Sequence, residues 1–251
     1  MPFDRPARHP FLDHPGPIPF AHRGGAGDWP ENTMPAFAGA IALGYRYVET
    51  DVQVTSDGVL VAFHDDDLSR TCGRPGHISM LPWSEVATAR VDGKEPIPLF
   101  EDLLAAFPEC RVNVDCKTDA AVEPLIASLQ RTNSLDRVCV GSFKHHRLVR
   151  LRSALGPGLC SSMSPLEVVR WRVGLPSSAA LVAQVPVRQG IVPVVTRRTV
   201  ALAHRHGIDV HVWTIDEPAE MLRLLELHVD GIMTDRPAVL KQVMSQRGEW
   251  A

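Results

Sequence analysis

The sequence predicts an α/β fold, a closed (β/α)8 TIM barrel, from three observations. Short and nearly continuous apolar runs alternate with longer segments of helical periodicity, as in a parallel sheet covered by helices. About eight such units fit into 251 residues, which favours a closed barrel over an open doubly wound sheet. An open sheet is the alternative, but the glycine-rich segment 22–32 lacks the glycine spacing of a dinucleotide-binding turn.

The elements follow from where the hydrophobic period changes. Strands are predicted, in chain order, at 18–21, 47–54, 59–63, 111–116, 138–142, 159–163, 180–187, 209–215 and 231–234. Helices are predicted between many of them, including 34–43, 99–106, 121–131 and 197–206. Thr33 stands where an N-cap residue belongs, and Gly44 and Gly207 stand where a C-terminal glycine belongs.

One domain is predicted over residues 1–251, because the strand–helix alternation recurs along the chain without low-complexity tracts. A segment of about 70–97, containing glycine, proline and a short predicted helix at 83–89, follows the second barrel strand.

Composition disfavours several classes of protein. A net charge of −3 does not suit a general nucleic-acid binder, and no apolar run approaches the roughly 18 residues of a membrane span. The first 17 residues carry charges and five prolines in place of a secretory apolar stretch. Five cysteines without a CxxC pair fit reduced thiols in a cytoplasmic protein. No segment stands out as a basic amphipathic helix.

Carboxylates recur at alternate positions of two predicted strands. Glu49 and Asp51 share one strand face, as do Asn113, Asp115 and Lys117 on another strand. Carboxylates facing each other inside a barrel repel unless a cation joins them, and oxygen ligands suit Mg²⁺, Ca²⁺ or Mn²⁺. Two alternatives stay open: one of the first pair faces outward, or Asp115 and Lys117 form an internal ion pair.

Two histidines stand at predicted strand ends. His22 and Arg23 follow the first strand, and His64 ends the run that leaves the 56–58 turn. Together they offer a proton donor and acceptor near neutral pH beside positive donors for an anion. A single histidine is also a common hydrogen-bonded structural residue. Cation, positive donors and acid are the components that phosphate-ester cleavage requires.

The order and spacing of several short motifs resemble the glycerophosphodiester phosphodiesterase family. The resemblance covers roughly residues 18–240. The matching segments are 22–24 (HRG), 30–33 (PENT), 49–52 (ETDV), 55–58 (TSDG), 64–65 (HD), 68–71 (LSRT), 98–103 (PLFEDL), 115–117 (DCK), 212–214 (VWT) and 230–237 (DGIMTDRP).

The resemblance implies a TIM barrel that uses one divalent cation to cleave glycerophosphodiesters to glycerol 3-phosphate and an alcohol. In this family the glycerol 2-hydroxyl is thought to attack phosphorus, and water then opens the cyclic phosphate. By motif position, the metal ligands are Glu49, Asp51 and Asp115, the acid/base pair is His22 and His64, and Arg23 and Lys117 bind the phosphate. Asp115 is a methylene shorter than the Glu often found there, which leaves the identity of the metal open. The resemblance also implies that the segment of about 70–97 is the family's small insertion, and its shortness here predicts a fairly open mouth of the barrel.

Some features stay undecided at this stage. Trp213 lines the glycerol side of the pocket or is a buried structural residue. The small-molecule substrate is a glycerophosphodiester, but lysophospholipase D activity and a non-catalytic binding barrel are alternatives. The lack of an evident membrane-binding element disfavours the lysophospholipid. The residues do not decide the leaving alcohol, the oligomeric state, or which histidine is the base.

Overall fold

The computed structural model describes residues 8–175 and 179–250, and most of its strands form one sheet. In chain order the strands are β1 (Ile18–Ala21), β2 (Tyr47–Val54), β3 (Leu60–Ala62), β4 (Arg90–Val91), β5 (Glu95–Pro96), β6 (Arg111–Cys116), β7 (Val138–Gly141), β8 (Cys160–Ser161), β9 (Val182–Pro186), β10 (Arg188–Gln189), β11 (Val192–Pro193), β12 (Asp209–Trp213) and β13 (Gly231–Thr234).

Helices follow most barrel strands and cover the outside of the sheet. They are α1 (Met34–Ala42), α2 (Ser69–Cys72), α3 (Trp83–Val86), α4 (Phe100–Ala106), α5 (Val122–Arg131), α6 (His145–Leu155), α7 (Pro165–Arg172), α8 (Arg197–Arg205), α9 (Pro218–Glu226) and α10 (Pro237–Gln246). The Thr33 hydroxyl accepts a hydrogen bond from the Ala36 N–H, as an N-cap does. Gly44 and Gly207 have φ of 98° and 69°, the left-handed conformation expected after a helix.

The sheet is a nearly closed barrel of eight parallel strands. Their order is β8-β7-β6-β2-β1-β13-β12-β9, and a parallel bridge between Ser162 and Val182 joins the two ends. The predicted TIM barrel is therefore confirmed. Strand β1 lies between β2 and β13, so the first and the last strand of the barrel are neighbours.

The insertion begins earlier than the predicted residue 70. Strand β3 pairs antiparallel with the end of β2, so the predicted strand at 59–63 is not a barrel strand. A turn of a few residues can join only antiparallel neighbours, and the chain leaves the barrel directly after β2. The insertion then forms α2, α3 and the β4–β5 hairpin around its own small core, which includes Val61, Leu68 and Ile78.

The interior of the barrel is apolar at one end and charged at the other. At the N-terminal end of the strands, Phe11, Phe20 and Tyr47 pack as an aromatic cluster. Along β2 the inward side chains then change from Tyr47 to Glu49 and Asp51, while Val48 and Val52 join the outer core. Catalytic groups of such barrels lie at the C-terminal ends of the strands, which is where the carboxylates are.

Two further sequence expectations concern thiols and membranes. All five cysteines are free, and four of them are buried, as expected for small apolar residues of a core. Within the described residues, no helix is long and apolar enough to span a bilayer.

Candidate active site

A cavity of about 470 Å³ opens at the C-terminal ends of the barrel strands. Every residue that the sequence singled out lies on its wall. These are His22, Arg23, Glu49, Asp51, His64, Asp115, Lys117 and Trp213. One wall carries the charged groups, and another carries mostly apolar side chains.

The predicted carboxylates meet at the charged wall. Asp51 on β2 and Asp115 on β6 are direct neighbours in the parallel register, and Lys117 Nζ lies 2.8 Å from a carboxylate oxygen of each. Glu49 lies one inward position before Asp51 and is 4% exposed. Both Glu49 and Asp51 point inward, so the alternative in which one faces outward is wrong. The alternative ion pair between Asp115 and Lys117 is present and includes Asp51.

A tight turn after β1 brings Arg23 over the carboxylates. Arg23 has a left-handed backbone (φ 50°), and its N–H donates to Glu49 Oε2 at 2.9 Å. Its guanidinium lies 3.4 Å from Asp51 Oδ2. The turn needs Gly24 next, at φ 81°, since a Cβ there would come within 2.8 Å of Ala36 on α1.

His22 is held between two carboxylates. Its Nδ1 lies 2.6 Å from Asp235 Oδ1 at the end of β13, and its Nε2 lies 3.7 Å from Glu49 Oε2. Asp216 in turn accepts from the Asp235 N–H and the Thr234 hydroxyl. Burial disfavours the charged imidazole, but Glu49 and Asp235 outweigh it and raise the pKa of His22. The arrangement fixes the ring and leaves Nε2 facing the cavity.

His64 has a corresponding partner from its own loop. Its Nδ1 lies 2.5 Å from Asp65 Oδ1. Arg70 of α2 binds Asp65 through Nε and Nη2 and binds both oxygens of Glu31. These hydrogen bonds, those from Arg70 above all, lower the pKa of Asp65 to about 2. Glu31 also accepts from Arg23, so an unbroken chain of ion pairs links the insertion to the charged wall.

The charged wall holds more buried negative charge than its cations neutralise. Burial, together with the charge of Asp51, raises the pKa of Glu49 to about 7. Burial also raises the pKa of Asp115. Lys117 and Arg23 together lower the pKa of Asp51 despite its burial. A further positive charge at this wall would therefore stabilise the three carboxylates in their ionised form.

The chemical type of the donors on the charged wall suits a hard divalent cation, but their spacing in this structure does not. Three carboxylates from two adjacent strands converge on one wall, which is the ligand chemistry of Mg²⁺, Ca²⁺ or Mn²⁺. Across residues 8–175 and 179–250, no three Asp, Glu, His or Cys side chains are gathered closely enough to hold a metal. Lys117 occupies the space between Asp51 and Asp115, so cation binding requires its ammonium group to move.

The opposite wall of the cavity is largely apolar. Trp213 is half-buried and packs edge-on against Phe143, with ring centroids 5.9 Å apart. It is thus a cavity residue and not a fully buried structural one. The wall continues over α7 and the strand ends beside it through Met163, Val168, Val169, Val185, Pro186 and Val194.

Sequence reasoning missed several residues that support the site. Asp235 and Arg70 lie inside motifs that the sequence analysis recognised, but it gave them no role. Their positions within those motifs were the signal that could have identified them. Gln184 donates to Asn113 Oδ1 on the cavity wall. Asn32 donates to Asp51 Oδ2 at 3.2 Å. These polar partners fix the orientations of the side chains that face the cavity.

Comparison with known proteins agrees with the fold and identifies the family. Residues 22–239 match the model of the glycerophosphoryl diester phosphodiesterase family. "Probable glycerophosphodiester phosphodiesterase 2" of Mycobacterium tuberculosis is 41% identical, over 96% of this chain and 95% of that protein. A lysophospholipase D of Mus musculus is 25% identical, over 90% of this chain and 85% of its own length.

Among solved structures, an Oleispira antarctica phosphodiesterase in complex with its product sn-glycerol-3-phosphate superimposes with a TM-score of 0.76. It is 23% identical and the match covers 91% of this chain and 97% of that one, so it supports the fold. The family match spans most of the chain and includes every residue of the charged wall. The chain belongs to the glycerophosphoryl diester phosphodiesterase family and is a glycerophosphodiester phosphodiesterase.

Proposed function

We propose that this enzyme cleaves small glycerophosphodiesters to glycerol 3-phosphate and an alcohol, with a divalent cation and two histidines. The observation that supports this most is the pairing of each histidine with a carboxylate at Nδ1. Both rings line one cavity with the three acidic residues. A carboxylate at Nδ1 fixes the tautomer and makes Nε2 the atom that exchanges a proton.

Each charged residue has a role in this proposal. Glu49, Asp51 and Asp115 would hold the cation, and Arg23 and Lys117 would bind the phosphate oxygens. When bound, the cation supplies positive charge to the phosphate oxygens. Lys117 contacts Asp51 and Asp115 in this structure, so its ammonium group lies where it can move from these carboxylates to the oxygens of an incoming phosphate.

The histidines carry the proton transfers. One Nε2 removes the proton of the glycerol 2-hydroxyl as its oxygen bonds to phosphorus, and the other protonates the alkoxide as the P–O bond to the alcohol breaks. The resulting cyclic phosphate is opened by water with the two proton transfers reversed.

The direct test is release of glycerol 3-phosphate from glycerophosphocholine, with EDTA and after addition of Mg²⁺, Ca²⁺ or Mn²⁺. Removal of the metal should abolish turnover and one of the three cations should restore it. The His22→Ala, His64→Ala double variant should lose at least about 10⁴-fold in kcat if both proton transfers depend on these rings. Unchanged turnover in that variant would remove the histidine assignment. Tight binding without hydrolysis under any metal would instead indicate a binding barrel.

The metal assignment has a separate test. Glu49→Gln keeps the shape of the side chain but removes its charge. It should therefore lose cation affinity by at least the roughly 10- to 100-fold that loss of an outer-shell partner costs, while the fold is retained. Calorimetric titration with each metal and a thermal unfolding curve measure the two effects. Full metal occupancy in Glu49→Gln at the wild-type dissociation constant would contradict the ligand assignment.

A second candidate is lysophospholipase D activity, which the apolar wall of the cavity favours. An acyl chain on the glycerol would pack against side chains such as Val168, Val169 and Trp213. This activity would show as faster release of choline from lysophosphatidylcholine than from glycerophosphocholine. We also propose a cytoplasmic location, which the five free thiols support.

A further inference from the structure

Large apolar side chains are exposed mainly at the mouth of the cavity. Of the ten exposed large apolar residues among those described, Phe143 and Val169 line the cavity, and five more lie on α7, just after it, or on the β10–β11 hairpin. Phe143 follows β7, and the other six form what we call the apolar rim. The rim consists of Leu166, Val169, Val173, Leu175, Ile191 and Val192, with exposed fractions of 43% to 89%.

The rim is one surface made from two elements. Leu166, Val169 and Val173 follow at spacings of three and four, which places them on one face of α7 and its C-terminal end. Ile191 lies at the tip of the β10–β11 hairpin and is 89% exposed. A hydrogen bond from Arg172 to the Pro193 carbonyl joins the helix to the hairpin. Val169 lines both the rim and the cavity.

The charge around the rim is positive. Between residues 164 and 195 the sequence contains three arginines, at 170, 172 and 188, and one acid, Glu167. Glu167 is buried and bound by Arg152 at 2.7 Å. Within the described residues none of the three arginines has a carboxylate partner. Arg197 and Arg198 extend the positive surface at the start of α8.

We infer that the apolar rim docks on a lipid bilayer that contains anionic phospholipid. Exposed aliphatic side chains flanked by unpaired arginines are the pattern of a surface that inserts into the headgroup region. The rim is continuous with the apolar wall of the cavity, so docking would bring the cavity mouth to the source of amphiphilic diesters. This binding goes beyond the proposed hydrolysis and is measurable without substrate.

The test compares two triple variants in vesicle co-sedimentation. Leu166→Ser, Val173→Ser, Ile191→Ser removes the rim without touching a cavity residue. The matched control, Met80→Ser, Val149→Ser, Leu222→Ser, changes exposed apolar residues on the insertion, α6 and α9. Vesicles are phosphatidylcholine alone, or phosphatidylcholine with phosphatidylglycerol.

Wild type and control should bind the anionic vesicles, and the rim variant should bind at least about tenfold more weakly. Arg170→Gln, Arg188→Gln should weaken binding to anionic vesicles alone, and added salt should mimic that effect. All variants should hydrolyse glycerophosphocholine at the wild-type rate, which separates a docking defect from failure of the proposed function. Equal binding by rim and control variants, or no binding by wild type, would overturn the inference. So would a wild-type dimer that the rim variant converts to monomer without any vesicle binding.

Discussion

His211 makes the stability of this barrel depend on pH. Its ring lies on β12 inside the barrel, fully buried, with its centroid 4.9 Å from that of Phe20. Neither ring nitrogen has a hydrogen-bond partner among the described residues. Burial lowers the pKa of His211 from 6.5 to about 4, against a small opposing effect of Asp230. The folded state therefore holds the imidazole neutral where the unfolded chain would protonate it.

The sign and size of the effect follow from linkage. Because the folded pKa is depressed, the unfolded chain binds more protons between pH 6.5 and 4, and stability falls as the pH drops through that range. Each unit of difference in pKa changes the free energy of unfolding by about 1.4 kcal/mol, so the full loss of stability below pH 4 is about 3 kcal/mol. At pH 5 the loss is about 2 kcal/mol, since His211 remains neutral in the folded state there.

The experiment is urea unfolding of wild type and His211→Leu at pH 7.5 and pH 5. Leucine has a similar volume and leaves no hydrogen bond unmade. Wild type should lose about 2 kcal/mol more than the variant between the two pH values. His206→Asn, which changes an exposed histidine, should behave as wild type. The same pH dependence in wild type and His211→Leu would refute the reasoning.

Three further predictions test the supports of the site. Arg70→Ala should lower kcat about tenfold, because it releases the Asp65 carboxylate that orients the His64 ring. Millimolar guanidinium should partly restore kcat, because Arg70 is half exposed. Arg74→Ala, whose hydrogen bonds stay within the insertion, should keep the wild-type rate, and failure of rescue would argue for a purely structural role. Asp235→Asn should lower kcat by roughly 10- to 100-fold with little change in KM, as initial rates will show, and an unchanged kcat would contradict its positioning role. Gly24→Ala should lower the free energy of unfolding by more than about 2 kcal/mol, because it adds a clash to left-handed strain. Gly58→Ala, at φ 86° with no atom nearby, should cost only about 1 kcal/mol, and equal losses would exclude the clash.

The barrel and its inward-facing carboxylates were predictable because both follow from the local periodicity of apolar and polar residues along the chain. Along β2 the alternation of apolar and acidic residues alone places Glu49 and Asp51 on one face, and the same rule applies to Asp115. The strand predicted at 59–63 is present as β3, but its composition did not reveal that it pairs antiparallel with β2 and lies outside the barrel. Hydrophobic period carries no information on direction.

The missing parts of the site depend on contacts between distant residues. The carboxylate that orients His22 is 213 positions away, and Arg70 reaches Glu31 across 39 positions. The apolar rim was not predicted either, since α7 contributes only a short stripe and Ile191 joins it through the fold. The rim that we infer to dock on a bilayer is the kind of membrane-binding element whose apparent lack in the sequence disfavoured a lysophospholipid.

The position of β1 between β2 and β13 has a consequence for when the enzyme becomes active. His22 directly follows the first barrel strand, but the aspartate that orients it follows the last one, 213 positions later in the chain. A nascent or truncated chain that already carries both histidines and all three carboxylates would lack an oriented His22. Pairing of such distant segments is a slow step in folding. On the proposed mechanism, full hydrolytic activity in this chain would therefore report completion of the barrel.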